Sequence, residues 1–477
     1  MLRHMTLNTP TSDDLDTLSR MAGEGGLRTG ADIKGYLTEP RDLFRGHAAG
    51  VLRPDTTEQV AAIVRHCAER GIGIIPYGGG TGLVGGQLTS DGAPPVILSM
   101  ERMNRIRGVI LEENAIIVEA GVILQDVQEA ASDAGRLFPL SLAAQGSARI
   151  GGNLATNAGG VQVLRYGNTR DLCLGIEAVL PSGEILHGLK TLRKDNTGYD
   201  LRHLLVGAEG TLGVITAAAL KLYPQPGAVL TAMLAVPSPA AAVALLRHLQ
   251  NHLGDNITAF ELIKDQGMRF LENVLPDLMD PLSDNPSWRV LTEISGPEGS
   301  ALEDRTENAF AAAFEAEMAS DGVIASSEAQ RANMWNIREH LPEGNRRTGS
   351  ISSHDISLPI AQVATFIDRA DGTVRAIDPD FRINCFGHMG DGNLHYNVFP
   401  PQGRAHRDYD KLRKTVKQAV HDLVDEMDGS VSAEHGVGRM KTQDLIRYGE
   451  PAKLAAMKAI KKALDPKGIM NPGAVLA

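Results

Sequence analysis

Short apolar runs and helical periodicities follow one another through the first half of the chain. Residues 57–70 repeat apolar side chains at the spacing of one helical face, after a threonine cap at Thr56 or Thr57 and before a stop at Gly71. Continuous apolar runs predict strands at 71–76, 96–100 and 115–120, and a helix is expected from Leu124 to Gly135. This succession of elements predicts an α+β or α/β domain.

From about Gln225 the strands and helices become longer. Strands are predicted at 229–236 and 289–294 and helices at 240–253 and 301–319, as in a sheet with helices on one face. Residues 228–246 are nearly all apolar, but Pro237 and Pro239 interrupt the run. We therefore expect a strand and then a helix capped by Ser238, and no transmembrane helix.

Composition and charge indicate the size of the protein, its partners and its location. The 477 residues suffice for roughly three domains, and the net charge of -11 argues against nucleic acid or an anionic membrane as the main partner. Three cysteines without a CxxC motif, Cys67, Cys173 and Cys385, predict reduced thiols and a cytoplasmic location. The first twenty residues are polar and acidic, so no secretion signal is expected.

Glycine is concentrated in three clusters, where the main chain is not covered by side chains. They are PYGGGTGLVGG at 76–86, IGGNLATNAGG at 150–160 and GAEGTLGVIT at 207–216. Backbone N–H groups freed of side chains can surround an anionic group such as a phosphate. Three such clusters in the first half of the chain are better explained as walls around one long ligand than as separate turns.

Two familiar phosphate loops are excluded by what surrounds the first cluster. A P-loop ends in Gly-Lys-Ser/Thr, and the chain has no lysine from Gly71 to Glu101. Gly80, Gly82 and Gly85 match the dinucleotide fingerprint G-x-G-x-x-G, but the residues between Gly86 and the next predicted strand are too few for a crossover helix. A Rossmann fold is therefore disfavoured.

The three clusters together resemble the flavin-binding domain of the vanillyl-alcohol oxidase superfamily. The resemblance implies an α+β fold with a two-subdomain FAD-binding domain at residues 1–224, an α/β substrate-binding cap at 225–404, and a C-terminal domain at 405–477 that returns to the flavin domain. FAD is expected to be non-covalent, because residues 71–86 contain neither His nor Cys. The cofactor-binding residues implied are Pro76, Gly78, Gly79, Gly80, Thr81, Gly82, Gly86, Gly146, Ser147, Gly151, Gly152, Asn153, Thr156, Gly210, Ile215 and Asn471.

The most informative polar segment is GHMGDGNLHYN at 387–397, followed by SAEHGVG at 432–438. His388 and His395 would face opposite sides of one straight strand, but Gly390-Asp391-Gly392 breaks the run, so the two can converge across a tight turn. With Glu434 they form a two-histidine, one-carboxylate set suited to Zn²⁺ or Mn²⁺. The residues alone leave open a second interpretation, histidines hydrogen-bonded near a turn.

These segments resemble the metal-dependent D-2-hydroxy-acid dehydrogenases of the same superfamily. The resemblance implies that His388, His395 and Glu434 bind the metal, that His435 is the base, and that Arg338 and Asn397 contact the substrate. Alcohol oxidation fits such a set, because a metal lowers the pKa of a hydroxyl group and a histidine can accept its proton. From the residues alone, Arg338 is expected on an exposed helix face.

Two positions depart from the pattern of the hydroxyglutarate enzymes in this family. That pattern implies a threonine and a lysine that contact the substrate carboxylate, at positions occupied here by Pro342 and Ser353. A dicarboxylate is therefore less favoured, unless Arg346, Arg347 or His354 compensates. D-2-Hydroxyglutarate, D-lactate and D-malate are the candidate substrates. Cys385 is expected to be turned away from His388 and to serve packing.

Several alternatives and partners follow from the resemblance. The alternatives are an oxidase that uses oxygen, an NADPH-dependent enolpyruvyl reductase, which lacks this histidine–glutamate set, and a non-catalytic flavin- or metal-binding protein. The electron acceptor is expected to be an electron-transfer flavoprotein, a cytochrome or a quinone, because no segment suits a nicotinamide. A homodimer is expected from the family alone.

Overall fold

A computed structural model describes residues 7–272 and 274–476. Its helices are α1 (Ser12–Met21), α2 (Thr57–Arg70), α3 (Leu124–Asp133), α4 (Ile150–Thr156), α5 (Val163–Tyr166), α6 (Thr169–Leu172), α7 (Leu201–Leu205), α8 (Pro239–Leu253), α9 (Asp265–Leu271), α10 (Leu302–Glu315), α11 (Glu328–Thr348), α12 (Val363–Ile377), α13 (Asp410–Glu426), α14 (Thr442–Tyr448) and α15 (Pro451–Leu464). Its strands are β1 (Leu27–Arg28), β2 (Gly50–Leu52), β3 (Ile74–Tyr77), β4 (Val96–Ser99), β5 (Ile106–Ile110), β6 (Ala115–Glu119), β7 (Arg136–Leu137), β8 (Cys173–Val179), β9 (Ile185–Gly188), β10 (Val214–Lys221), β11 (Tyr223–Pro224), β12 (Ala228–Val236), β13 (Ile257–Lys264), β14 (Trp288–Gly296), β15 (Asp321–Ile324), β16 (Ser352–Ser357), β17 (Arg382–Gly387) and β18 (Asn393–Phe399).

The chain forms two units, each assembled from separate segments. Unit 1 comprises residues 1–160, 167–225 and 434–477, and unit 2 comprises 161–166 and 226–433. The division after residue 225 lies one residue from the predicted boundary. The predicted boundary at 404 differs from this division: α13 belongs to unit 2 because its apolar residues, among them Val416, Val420 and Val424, lie in the core of that unit.

Unit 1 contains the small sheet that carries the first glycine cluster. The strand order is β1-β2-β4-β3, and β3 and β4 are parallel. No helix lies in residues 78–95 between these strands, so the exclusion of a Rossmann crossover is confirmed. Helix α2 begins and ends as predicted: the Thr56 side chain accepts the N–H of Gln59, and Gly71 ends the helix in the left-handed region at φ 68°.

A second sheet of unit 1 has the order β5-β6-β10-β8-β9 and is antiparallel throughout. Strand β6 and helix α3 lie where the hydrophobic pattern predicted them. The sequence did not predict β5 or α4. Helix α4 contains Gly151 and Gly152, which have low helix propensity. Its buried residues Ile150 and Leu154 show that packing stabilises it.

Unit 2 is built on a seven-stranded antiparallel sheet with the order β15-β12-β14-β13-β17-β18-β16. Helices cover both faces, which corrects the expectation of one face. Leu234 and Val290 point to the core shared with α8, α10, α12 and α13. Met233 and Leu291 point to a second core with α9 and α11. The sequence signal for the second layer is the apolar spacing of Met334, Ile337 and Leu341 in α11.

The apolar run at 228–246 divides as expected. Strand β12 ends at Val236, the Ser238 side chain accepts the N–H of Ala241, and Pro239 is the first residue of α8. Within residues 7–272 and 274–476, no helix combines the length and the apolar character needed to cross a membrane.

Candidate functional site

A deep cleft in unit 1 is bordered by all three glycine clusters. The empty space between its lining atoms, including the part open to solvent, is about 950 Å³. The predicted residues that line it are Pro76, Gly78, Gly79, Gly80, Thr81, Gly82, Gly86, Gly151, Gly152, Asn153, Thr156, Gly210 and Ile215. The prediction missed further lining residues, among them Tyr77, Gln87, Arg149 and Glu209.

Close backbone approach explains two of these glycines. A Cβ on Gly78 would lie 3.1 Å from the Cα of Gly152, and a Cβ on Gly79 would meet the carbonyl oxygen of Ser147. The first and second clusters therefore pack backbone against backbone. An elongated ligand with a phosphate bridge fits this side-chain-free wall.

Three predicted cofactor residues lie outside the lining of the cleft. Gly146 and Ser147 are exposed, and Ser147 contributes its carbonyl to the packing against Gly79. Asn471 is buried and its side-chain amide donates to the carbonyls of Gly86 and Glu209 at 3.0 and 2.7 Å. Its position thus joins the first cluster to the third.

Glu209, which the sequence analysis did not single out, joins the cleft to the segment that follows His435. Its carboxylate accepts the main-chain N–H groups of Val437 and Gly438, each at 2.7 Å. Burial raises the pKa of the Glu209 carboxyl, although these two N–H groups act in the opposite direction. The sequence feature that could have identified Glu209 is a charged residue inside the glycine-rich run GAEGTLG.

In unit 2, a hairpin of the large sheet brings the two predicted histidines together. Strands β17 and β18 are joined by a short 3-10 turn, Met389–Asp391, and Gly392 takes the left-handed conformation at φ 85°. The ring centroids of His388 and His395 are 5.6 Å apart. The predicted convergence across the turn is therefore present in the structure.

Glu434, the residue that follows unit 2 along the chain, completes a set of possible metal ligands. One ligand atom from each of His388, His395 and Glu434 lies within 4.8 Å of the others. His388 is buried, while the other two are partly exposed. Two imidazoles and one carboxylate at this spacing fit Zn²⁺ or Mn²⁺ with room for a further ligand.

The buried carboxylate of Glu261 in β13 contacts His388, one of the three possible metal ligands. Its Oε1 accepts from His388 Nδ1 at 2.6 Å, and its Oε2 accepts from Arg338 Nε at 2.5 Å. Burial alone would raise the pKa of Glu261, but the charges of Arg338 and His388 outweigh it and lower the pKa to about 2. Glu261 is thus ionised at neutral pH.

The remaining predicted catalytic residues are placed as follows. Arg338 in α11 is buried, which corrects the exposed position that its residue pattern favoured, and its guanidinium lies over the ring of Phe386. Asn397 follows His395 on the same face of β18, and its side-chain amide donates to the His395 carbonyl at 3.0 Å. Nε2 of His435 lies 3.5 Å from Glu434 Oε1.

The residues considered as replacements for the missing lysine are otherwise engaged or turned away. Arg346 and Arg347 both pair with Glu343 on the exposed side of α11. His354 is opposite Tyr396, whereas its neighbour Ser353 is opposite Asn397. Since side chains alternate along a strand, Ser353 is on the face that carries His395 and Asn397, and His354 is on the other.

Pro342 lies within α11, one turn after Arg338. Cys385 is fully buried in the core with Tyr396, away from the face of His395, as expected for a packing residue.

Comparisons with known proteins cover most of the chain. Residues 48–188 match an FAD binding domain, and residues 225–475 match the C-terminal domain of FAD linked oxidases. The D-2-hydroxyglutarate dehydrogenase of Xanthomonas citri pv. viticola is 36% identical over 448 residues, which cover 93% of this chain and 92% of the relative. The mitochondrial D-2-hydroxyglutarate dehydrogenase of Arabidopsis thaliana is 35% identical over 433 residues, covering 91% and 76% of the two chains.

A putative mitochondrial D-lactate dehydrogenase of Schizosaccharomyces pombe is 35% identical over 455 residues, covering 93% of this chain and 84% of the relative. Among solved structures, p-cresol methylhydroxylase with substrate bound matches with a TM-score of 0.75 at 16% identity, over 98% of both chains. Alkyldihydroxyacetonephosphate synthase matches with a TM-score of 0.73 at 18% identity, over 99% of this chain and 87% of the other. These neighbours confirm the α+β fold of vanillyl-alcohol oxidase type.

Proposed function

The chain belongs to the family of FAD-linked D-2-hydroxy-acid dehydrogenases and is an FAD-dependent oxidoreductase, and we propose that it oxidises a D-2-hydroxy acid to the 2-oxo acid with a divalent metal at His388, His395 and Glu434. The observation that carries the proposal is the grouping of these three ligand atoms within 4.8 Å. The names of the relatives, D-2-hydroxyglutarate dehydrogenase and putative D-lactate dehydrogenase, support the substrate class.

The cleft of unit 1 would hold FAD without a covalent bond. The backbone of Gly78–Gly82 would face the pyrophosphate, and Gly152, Asn153 and Thr156 would line the flavin. Gly210 and Ile215 would flank the adenine side. FAD supplies the two-electron acceptor for the hydride that leaves the α-carbon of the substrate.

The metal ligands and the residues around them would bind and polarise the substrate. A divalent metal supplies a Lewis acid that lowers the pKa of the α-hydroxyl group. Arg338 would pair with the substrate carboxylate, since a guanidinium offers several N–H donors in one plane. Asn397 would contact the substrate from the same strand face as His395. Because the Nε of Arg338 is held by Glu261, its terminal nitrogens have a defined direction.

His435 would accept the hydroxyl proton on a ring nitrogen while hydride leaves the α-carbon. A histidine suits this step, because its ordinary pKa lies close to neutral pH. Glu434 precedes it directly, so a single short segment would carry one metal ligand and the base. The electrons would pass from FAD to an electron-transfer flavoprotein, a cytochrome or a quinone.

The side chain at 353 bears on the length of the substrate. Ser353 is exposed on the strand face of His395 and Asn397. The residues considered as replacements for the lysine either pair with Glu343 or lie on the other face. We propose that D-lactate and D-malate are substrates alongside D-2-hydroxyglutarate, with less preference for the longer dicarboxylate than a lysine at 353 would give.

An anaerobic titration tests the proposal. Metal-loaded flavoprotein is mixed with D- and L-2-hydroxyglutarate, lactate and malate, and the flavin absorbance is followed. Bleaching by a D-acid and not by its L-enantiomer is expected, together with its loss after the metal is removed and its return when Zn²⁺ or Mn²⁺ is added back. Flavin that stays oxidised with every acid, or bleaching that is independent of metal, would contradict the proposal. Oxygen consumption during aerobic turnover separates an oxidase from a dehydrogenase.

A further inference from the structure

Glu261 is a carboxylate in the interior of an apolar strand. It has no exposed surface, and its neighbours in β13, Phe260 and Leu262, belong to the hydrophobic core. A buried carboxylate is unfavourable unless its charge is paired and its oxygens accept hydrogen bonds. Both conditions are met here, and both partners are residues of the proposed site.

The two carboxylate oxygens of Glu261 accept hydrogen bonds from two different residues of the proposed site. Oε1 accepts from Nδ1 of His388, at the end of β17, and Oε2 accepts from Nε of Arg338 in α11. The hydrogen bond to Nδ1 fixes the tautomer of His388, so that Nε2 is the nitrogen that can bind a metal. The ion pair with Arg338 fixes the direction of the guanidinium, whose Nη2 lies 3.5 Å from His388 Nε2.

We propose that Glu261 is a positioning residue that sets both the metal-binding nitrogen of His388 and the direction of Arg338, so that the affinities for metal and for the substrate carboxylate depend on one side chain. The inference rests on the proposed function, in which His388 binds the metal and Arg338 binds the acid. It goes further in coupling the two through a residue that touches neither ligand.

Glu261→Gln is the informative substitution. The amide keeps the shape of the side chain, but it has one acceptor oxygen where the carboxylate has two, and its NH₂ group faces an N–H donor. We expect the Kd for Zn²⁺ or Mn²⁺ to rise about 10- to 100-fold, as for other carboxylates that orient metal-binding histidines. At saturating metal, we expect KM for the D-acid to rise about 10-fold, more than kcat falls.

Glu293→Gln is a matched control. Glu293 lies on the neighbouring strand β14, and its carboxylate accepts from the neutral donors Trp335 Nε1 and Thr258 Oγ1 at 3.1 and 3.3 Å. Its amide variant keeps an acceptor for such donors, so its metal affinity and KM are expected to equal those of the unmodified protein. Flavin content and the melting temperature of each variant report whether the fold is intact.

The test measures metal affinity of the flavin-loaded proteins by competition with a chromophoric chelator, and then KM and kcat at saturating metal. His388→Ala is measured beside them. If His388→Ala loses the metal while Glu261→Gln binds it as tightly as the unmodified protein, the inference about Glu261 is overturned and the proposed metal site stands. If His388→Ala also binds metal with unchanged affinity, the proposed site itself is overturned.

A second variant covers a failure of Glu261→Gln to fold. Glu261→Asp keeps the charge but is shorter by one CH₂ group, so it cannot reach both partners. A loss of metal affinity or a raised KM in Glu261→Asp, with normal flavin content, supports the positioning role. Native values for both quantities in this variant would overturn it.

Discussion

The carboxylate of Glu209 accepts the main-chain N–H of Gly438 at 2.7 Å, which ties the third glycine cluster to the segment that begins with Glu434 and His435. Glu209 itself has a left-handed backbone with φ 51°. Such a conformation costs a non-glycine residue about 1 kcal/mol or more. The hydrogen bonds to Val437 and Gly438 offset that cost and hold the end of the proposed catalytic segment.

We expect Glu209→Ala to reduce kcat and to lower the melting temperature. Leaving two buried main-chain N–H groups without their acceptor corresponds to about 2–3 kcal/mol or more of stability, and the segment after His435 loses two hydrogen bonds that hold it. Steady-state kinetics and thermal unfolding of the flavoprotein measure the two effects. Glu184→Ala, which removes an exposed glutamate, is the control. A native kcat in Glu209→Ala would show that residues 436–438 keep their place without it.

We expect Gly79→Ala to purify with little flavin. A Cβ at this position would meet the Ser147 carbonyl and lie 3.1 Å from the Cα of Ala148, so the first cluster would have to move away from the residues just before the second. Gly108→Ala is the comparison, because a Cβ at this position in β5 would meet nothing within 4 Å. The flavin content of each purified variant is measured as the ratio of flavin to protein absorbance. Equal flavin content in the two variants would contradict the close packing of the clusters.

Alanine at His435 and at His388 should separate proton transfer from metal binding. For His435→Ala we expect a normal metal content and a kcat lower by about 10²- to 10⁴-fold, the usual contribution of a general base. For His388→Ala we expect loss of the metal as well as of turnover. Metal analysis after gel filtration, combined with anaerobic flavin reduction, distinguishes the two. Unchanged turnover in either variant would contradict the assigned role.

A cation at residue 353 is expected to shift the preference toward a dicarboxylate. In Ser353→Lys, an ammonium group beside Asn397 can pair with the distal carboxylate, and an ion pair worth about 1 kcal/mol corresponds to roughly a 5- to 10-fold gain. The measured quantity is kcat/KM for D-2-hydroxyglutarate divided by that for D-lactate. Ser353→Met, of similar length without charge, is the control. An equal ratio in both variants would place the distal carboxylate elsewhere.

The three thiols should not react in the folded protein. Cys67, Cys173 and Cys385 are buried, and burial raises the pKa of each thiol from 9.0 to about 12. A chromogenic disulfide reagent at pH 8 is expected to modify all three only after denaturation. Above pH 9 the unfolded chain loses thiol protons that the folded chain retains, so stability is expected to fall as the pH rises toward 12. Rapid modification of the native protein would contradict this burial.

Local signals were sufficient for several elements next to the first glycine cluster. Thr56 and Gly71 mark both ends of α2, and the absence of a helix between β3 and β4 followed from counting residues. The convergence of His388 and His395 was also predictable, because Gly390 and Gly392 interrupt an otherwise regular strand. In each case the cause lies within a few residues of its effect.

Features that depend on distant contacts were not predictable in this way. Glu261 lies 127 residues before His388, and nothing in its own strand identifies its partners. The available signal was only that a carboxylate in an apolar run must be paired. The burial of Arg338 likewise depends on the helices that cover the second face of the large sheet. The apolar spacing in α11 indicates such a layer, but the expectation of helices on one face left it out.

The pairing of residues 469–471 with β3 has a consequence for synthesis. Ile74 exchanges main-chain hydrogen bonds with Ile469 and Asn471, and the Asn471 side chain donates to Gly86, 385 residues earlier in the chain. At the usual pace of translation, the ribosome needs roughly 20 to 80 seconds to cover that separation. During that interval the edge of β3 is unpaired while the whole of unit 2 is made. The nascent protein thus acquires a complete first glycine loop only after residue 471 has been made, so capture of the cofactor follows the synthesis of unit 2.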